Sequence, residues 1–111
     1  MIFGLKEQAR LRVAVAMGRL YPERITRVEL SRKLDMSLSY VELLLTELGE
    51  NKLIDGIRGP TGGVWLTKSP DNILLSDVML IRPKGKKFEE LEVFEKRWAS
   101  FTKAHSLAEI I

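Results

Sequence analysis

Between Ile25 and Leu48 the chain carries two consecutive helix starts, and they leave few folds open. Thr26 with Glu29 forms a capping box, and Ile25 with Leu30 supplies a hydrophobic staple. The helix they open should run to about Leu34. After a tight break at Asp35-Met36, Ser37 caps a second start, with Met36 and Val41 as its staple. Val41, Leu44, Leu45 and Leu48 then share one stripe. Ser39, Tyr40, Glu42, Leu43, Thr46 and Glu50 lie on or near the other face. Gly49 in the last turn, costing about 1 kcal/mol relative to Ala, predicts fraying there.

The flanking segments complete a recognisable order. Residues 5–20 read as a helix, with Ala9, Val13, Ala16 and Leu20 at i, i+4, i+7 and i+11, and with Lys6, Arg10, Arg12 and Arg19 pointing elsewhere. Tyr21-Pro22 ends it, because the residue before proline is pushed out of the α region. After Leu48 the period changes. Leu53 to Arg58 and Val64 to Thr67 are short and rich in β formers, and Gly59-Pro60-Thr61-Gly62-Gly63 joins them as a hairpin tip. A loop at 69–72 precedes a short helix capped by Ser76 and running through Ile81. Helix, helix, tight turn, helix and hairpin is the order of a winged helix-turn-helix, mainly α with a small β-hairpin. Residues 1–81 form that domain, and 82–87 is a basic linker of four cations and no acid. Residues 88–111 form a long C-terminal helix and a closing turn, where Ser106 and Glu109 make another capping box.

Composition excludes several function classes. The 111 residues contain no Cys, which removes disulfides, thiolate zinc sites, Cys-ligated clusters and a Cys nucleophile. The apolar stretch Val13 to Met17 is too short for a signal sequence or a membrane span. A soluble cytoplasmic protein with no membrane partner is expected. His105 lacks a spaced second His, so no metal site is expected. Asp71, Asp77, Glu89 and Glu90 are framed by no His or nucleophile, so there are no catalytic residues and an enzyme is not expected. Neither a P-loop nor a dinucleotide fingerprint is present.

Two motifs carry a resemblance. Met36-Ser37-Leu38-Ser39-Tyr40-Val41-Glu42, then Leu53-Ile54, then Ile57 to Gly63 are similar to the bacterial IscR/NsrR/CymR regulator family. Its members show a Ser-x-Ser-Tyr-Leu-Glu recognition helix and an Arg-Gly-Pro-Gly-Gly-Gly-Tyr wing. Ser106-Leu107-Ala108-Glu109-Ile110 resembles the family's tail, and Trp98 falls where a dimerisation-helix Trp is frequent. The resemblance implies a homodimeric transcriptional regulator, usually a repressor, often with a sensory iron–sulfur cluster. Here Arg82 to Lys87 occupy the place of the family's three-cysteine loop, so the resemblance is to its cysteine-free branch and no cofactor is expected. Thr61 replaces a wing Gly, and Val64-Trp65 replaces the wing Tyr and its neighbour. Leu43, Thr46, Glu47 and Glu50 stand where many members carry Gln, Lys or Arg.

Charge weighs against a simple nucleic-acid reading. Residues 1–35 hold eight cations and four anions, residues 36–81 hold three and six, and residues 82–111 hold seven and five. The recognition segment is net acidic, whereas phosphate contacts depend on Lys and Arg. Double-stranded DNA would then be held by helix N-termini and by flanking cations, with Lys6, Arg10, Arg27, Arg32 and Lys33 as candidates. Ser37 is foremost a cap that can also meet a phosphate. Ser39 and Tyr40 fit either a DNA contact or the cover of a helix flank. Glu42 could accept from a cytosine amino group, although a solvated glutamate is the commoner case. Arg58, Gly59 and Pro60 put one cation on a rigid tip suited to a minor groove. Gly62 and Gly63 serve the turn.

Leu91, Phe94, Trp98 and Phe101 sit at 3-4-3 spacing, a heptad seam that predicts dimerisation. Each buried side chain contributes about 1.5–3 kcal/mol, against an association cost on the order of 4–15 kcal/mol. Leu107, Ile110 and Ile111 or the first helix are therefore expected to join the interface. The alternative is a winged-helix module whose acidic face binds a protein.

Overall fold

The structure is a computed structural model, and it describes residues 4–58, 62–79 and 105–111. The first helix, α1 (Leu5–Leu20), stops at Tyr21 as the sequence predicts. It is buried along two stripes rather than one. Ala9, Val13 and Ala16 form the expected row, and Arg10, Ala14 and Met17 form a second beside it. The reason is position, since α1 packs against every other helix of the described core as well as the sheet.

Strand β1 (Ile25–Thr26) leads directly into α2 (Arg27–Leu34). The Thr26 hydroxyl accepts from the Glu29 amide at 3.1 Å, as a cap should. The Glu29 carboxylate takes the Thr26 hydroxyl at 3.0 Å, where a full capping box would place it on the Thr26 amide. Asp35 ends α2 in the left-handed region, at φ 54°. Bonds from Asp35 N to Arg32 O and from Met36 N to Ser31 O close the helix as a Schellman motif. The tight break is thus built by a short polar residue that tolerates this conformation.

Helix α3 (Leu38–Glu50) begins at Ser37, whose Oγ accepts from Tyr40 N at 3.2 Å. Val41, Leu44, Leu45 and Leu48 are its buried stripe, as expected. Gly49 does not fray it. The helix runs on to Glu50 and closes through Lys52 N to Gly49 O and Leu53 N to Leu48 O, with Lys52 at φ 62°. The closing bonds offset glycine's weak helix preference.

Strands β2 (Ile54–Gly56) and β3 (Gly63–Leu66) pair antiparallel, Ile54 facing Leu66 and Gly56 facing Val64. The sequence predicts only this hairpin. The structure adds β1 on the far side of β3, with Ile25 opposite Val64, so the sheet has three strands in the order β1-β3-β2. Gly62 is required where the ribbon turns, because a Cβ there would fall 2.1 Å from the Ile57 carbonyl oxygen.

A 3-10 turn at Pro70–Asn72 leads to α4 (Leu75–Met79). Ser76 lies inside α4 and is not its cap. The start is satisfied instead by Asp77, whose carboxylate accepts from Leu74 N at 2.9 Å. Beyond Met79, residues 80–104 lie outside the described residues, including the linker and the expected dimerisation helix. The closing turn Leu107–Ile110 keeps its capping box of Ser106 and Glu109. It docks back on the body through Leu107 N to Ile73 O at 2.7 Å and Leu75 N to His105 O at 2.9 Å. Leu107 is completely buried among the core residues, so it cannot line an interface between copies. The described architecture is a winged helix-turn-helix.

Candidate nucleic-acid interface

The candidate site is built from the exposed face of α3 and the β2–β3 ribbon beside it. Ser37, Ser39, Glu42, Leu43, Thr46 and Glu50 are exposed on that face, whereas Tyr40 is half-buried and packs against the core. Tyr40 therefore covers a helix flank with part of its ring. Arg58 is exposed on the ribbon. Gly59 and Pro60 lie outside the described residues. So do Leu91, Phe94, Trp98 and Phe101.

Arg27 has a role that its sequence position does not reveal. Its guanidinium Nη1 donates to Ile57 O at 2.7 Å and to Gly62 O at 3.3 Å. These carbonyls belong to the two arms of the ribbon just where they leave the sheet. A single Nη1 amino group donating to both arms ties the ribbon to α2 and sets its angle. Just before β1, the Arg24 guanidinium lies over the ring of Trp65 on β3, 4.4 Å from its centroid.

Arg10 is the clear correction. As a phosphate-binding candidate it would have to be exposed, yet it is 2% exposed. Its Nε donates to Val78 O at 3.0 Å, Nη2 to Met79 O at 3.2 Å and Nη1 to the Glu47 carboxylate at 3.2 Å. A buried guanidinium is stable only when its donors are used in this way. Glu47 in turn pairs with Lys6 on α1. Two cations counted toward DNA are therefore bound to the rear of α3. Their cost to the site is matched by a gain, because Glu47 is withdrawn from the exposed face with them. Arg12 is likewise occupied, donating to Leu34 O at 2.8 Å at the end of α2. Arg32 and Lys33 remain exposed on α2.

Between α3 and the sheet lies an open groove of about 380 Å³, with Leu45, Ile54 and Val64 among its lining and Arg27, Glu42 and Asp55 as its charged members. Asp55 accepts from the Gly56 amide at 2.8 Å, which fixes its carboxylate along the strand. Opposite charges thus meet across the junction of helix and ribbon. The sequence signals for the missed features are modest. Arg10, Ala14 and Met17 repeat at i, i+4 and i+7, which marks a second buried stripe.

A family model described as Rrf2, an iron-dependent transcriptional regulator, matches residues 7–100. The chain belongs to the Rrf2 family. Its matched relatives are transcriptional regulators and not enzymes. The HTH-type transcriptional regulator IscR of Cereibacter sphaeroides is 35% identical over 57 residues, covering 51% of this chain and 37% of that protein. IscR of Photorhabdus laumondii is 37% identical over 51 residues, 46% of this chain and 31% of that protein. The matched stretch thus spans about a third of the length of these curated relatives. Among solved structures, the T. potens IscR superposes with a TM-score of 0.74 at 20% identity, covering 96% of this chain and 83% of that one. CymR, the global cysteine regulator of B. subtilis, superposes with a TM-score of 0.74 at 17% identity, covering 97% and 94%. These likenesses establish the winged-helix fold. No helix among the described residues is long and apolar enough to cross a membrane.

The family description raises the question of iron. Thiolate ligation of an iron–sulfur cluster needs cysteines, and these 111 residues have none. Among the described residues no group of three or more His, Asp or Glu side chains is placed to hold a metal. His105 Nδ1 lies 3.1 Å from the Glu109 carboxylate. The donor set does not fit a cysteine-ligated cluster.

Proposed function

We propose that this chain binds operator DNA as a homodimeric transcriptional regulator, a repressor acting in the cytoplasm without an iron–sulfur cluster. The observation that carries the reading is the exposed start of α3 beside a ribbon held in place by Arg27. Helix α3 enters the major groove with Ser37, Ser39, Tyr40 and Glu42 leading, and backbone N–H groups at its start meet a phosphate. The wing, with Arg58, Gly59 and Pro60, reaches the adjacent groove, and Arg27 sets its angle. Withdrawal of Glu47 to the rear leaves Glu42 and Glu50 as the carboxylates of α3 facing out, which lowers the repulsion implied by the sequence count. Leu91, Phe94, Trp98 and Phe101 supply the two-fold contact that places two recognition helices about one DNA turn apart. Leu107 belongs to the core and takes no part in it.

The test is binding to random duplex DNA across a salt series. Affinity should fall linearly on logarithmic axes as salt rises. No binding even at low salt would favour the second reading, a protein-interaction module. The feature favouring that reading is the groove between α3 and β2, where Glu42 and Asp55 stand together.

A further inference from the structure

Resting on the DNA-binding reading above, we propose that Leu43 is a specificity residue that recognises the 5-methyl group of a thymine in the major groove. Leu43 is 47% exposed in the middle of α3, while Val41, Leu44, Leu45 and Leu48 complete the helix's buried stripe. The core therefore makes no use of it.

The rest of the face narrows what can be read. From Leu38 to Glu50 the helix contains no Lys, Arg, Asn or Gln. Those side chains are the bidentate donors that identify guanine or adenine by their major-groove acceptors. Thr46 does not replace them, because its hydroxyl donates to the Glu42 carbonyl at 2.8 Å. Ser37 Oγ is engaged by the Tyr40 amide. Glu42 is an acceptor without a proton to give and suits only a base that donates. The hydroxyls of Ser37, Ser39 and Tyr40 can meet an acceptor or a donor on any base and so discriminate little. That leaves two marks that such a face can tell apart, the cytosine amino group and the thymine methyl. Leu43 lies one helical turn from both Ser39 and Thr46, on the line that a groove-seated helix presents to base edges. Covering a thymine methyl with Leu43 removes apolar surface of both from water, which no other base at that position allows.

The experiment uses the full chain to select duplexes from a random-sequence library. Each thymine of the selected site is then replaced singly by deoxyuridine, which deletes only the methyl group. At one thymine per half-site the replacement should weaken binding about fourfold, the value of one methyl group transferred from water. In Leu43→Ala the penalty at that position should vanish, with the thermal midpoint unchanged because the residue lies outside the core. In Leu43→Gln the preferred base at the same position should move from thymine to adenine. A selected site with no methyl-sensitive thymine overturns the assignment while leaving DNA binding intact. The same follows if the penalty persists in Leu43→Ala. Failure to enrich any duplex overturns both this inference and the reading on which it rests.

Discussion

Arg10 and Arg27 make similar bonds in opposite settings. Each guanidinium bridges a pair of backbone carbonyls, Val78 and Met79 for one, Ile57 and Gly62 for the other. Arg10 does so at 2% exposure behind the recognition helix, and Arg27 does so half-buried in front of it. The front can be rescued by water and the rear cannot. The rear of the site is therefore a buried anchor, and the front is a clamp on the ribbon that water can reach. A cation in a sequence says nothing by itself about which of the two it will become.

The contrast is sharpest for Arg10→Ala. It leaves the Glu47 carboxylate with Lys6 alone and strips two carbonyls of their donor, so stability should fall by about 3–5 kcal/mol. A urea titration reads this directly. A loss below about 1 kcal/mol would mean that water reaches the rear after all. Arg27→Ala should cost only about 1 kcal/mol of stability. Its larger effect should be on duplex affinity, lowered roughly tenfold as the ribbon loses its angle. Equal affinity for parent and variant would show that the ribbon orients itself. Ser37→Ala removes a cap on the outer face and should cost about 1 kcal/mol by thermal melting, more than an uncapped surface site would show. The smallest effect belongs to Arg24→Ala, where loss of the contact over Trp65 is expected to cost about 0.5 kcal/mol. An effect as large as that of Arg10→Ala would erase the distinction between exposed and buried cations.

Features encoded within a few residues were legible in the sequence. The caps at Thr26 and Ser37, the end of α1 before Pro22 and the buried stripe of α3 all depend on neighbours along the chain. Features made by distant partners were not. Ile25 and Thr26 form a strand only because Val64 and Gly63 lie beside them. In the sequence the same residues signal nothing beyond a helix start. The burial of Arg10 depends on carbonyls at Val78 and Met79 and on Glu47. The position of Leu107 depends on a bridge to the segment before α4. Gly49 misleads for a related reason, since the bonds that close α3 come from Lys52 and Leu53 after it. The candidate site followed the same division. Ser37, Ser39 and Glu42 were legible as an exposed helix face, whereas Arg27 as a clamp needed the folded ribbon.

The central claim is that α3 and the ribbon together meet a DNA duplex, and amide NMR on the isotopically labelled chain tests it most directly. On addition of a selected duplex, the account predicts the largest shifts at Ser39, Glu42, Leu43 and Arg58, with little change at Val13, Ala14 and Leu107. Shifts confined to residues 105–111 or to α1, with α3 silent, would contradict it.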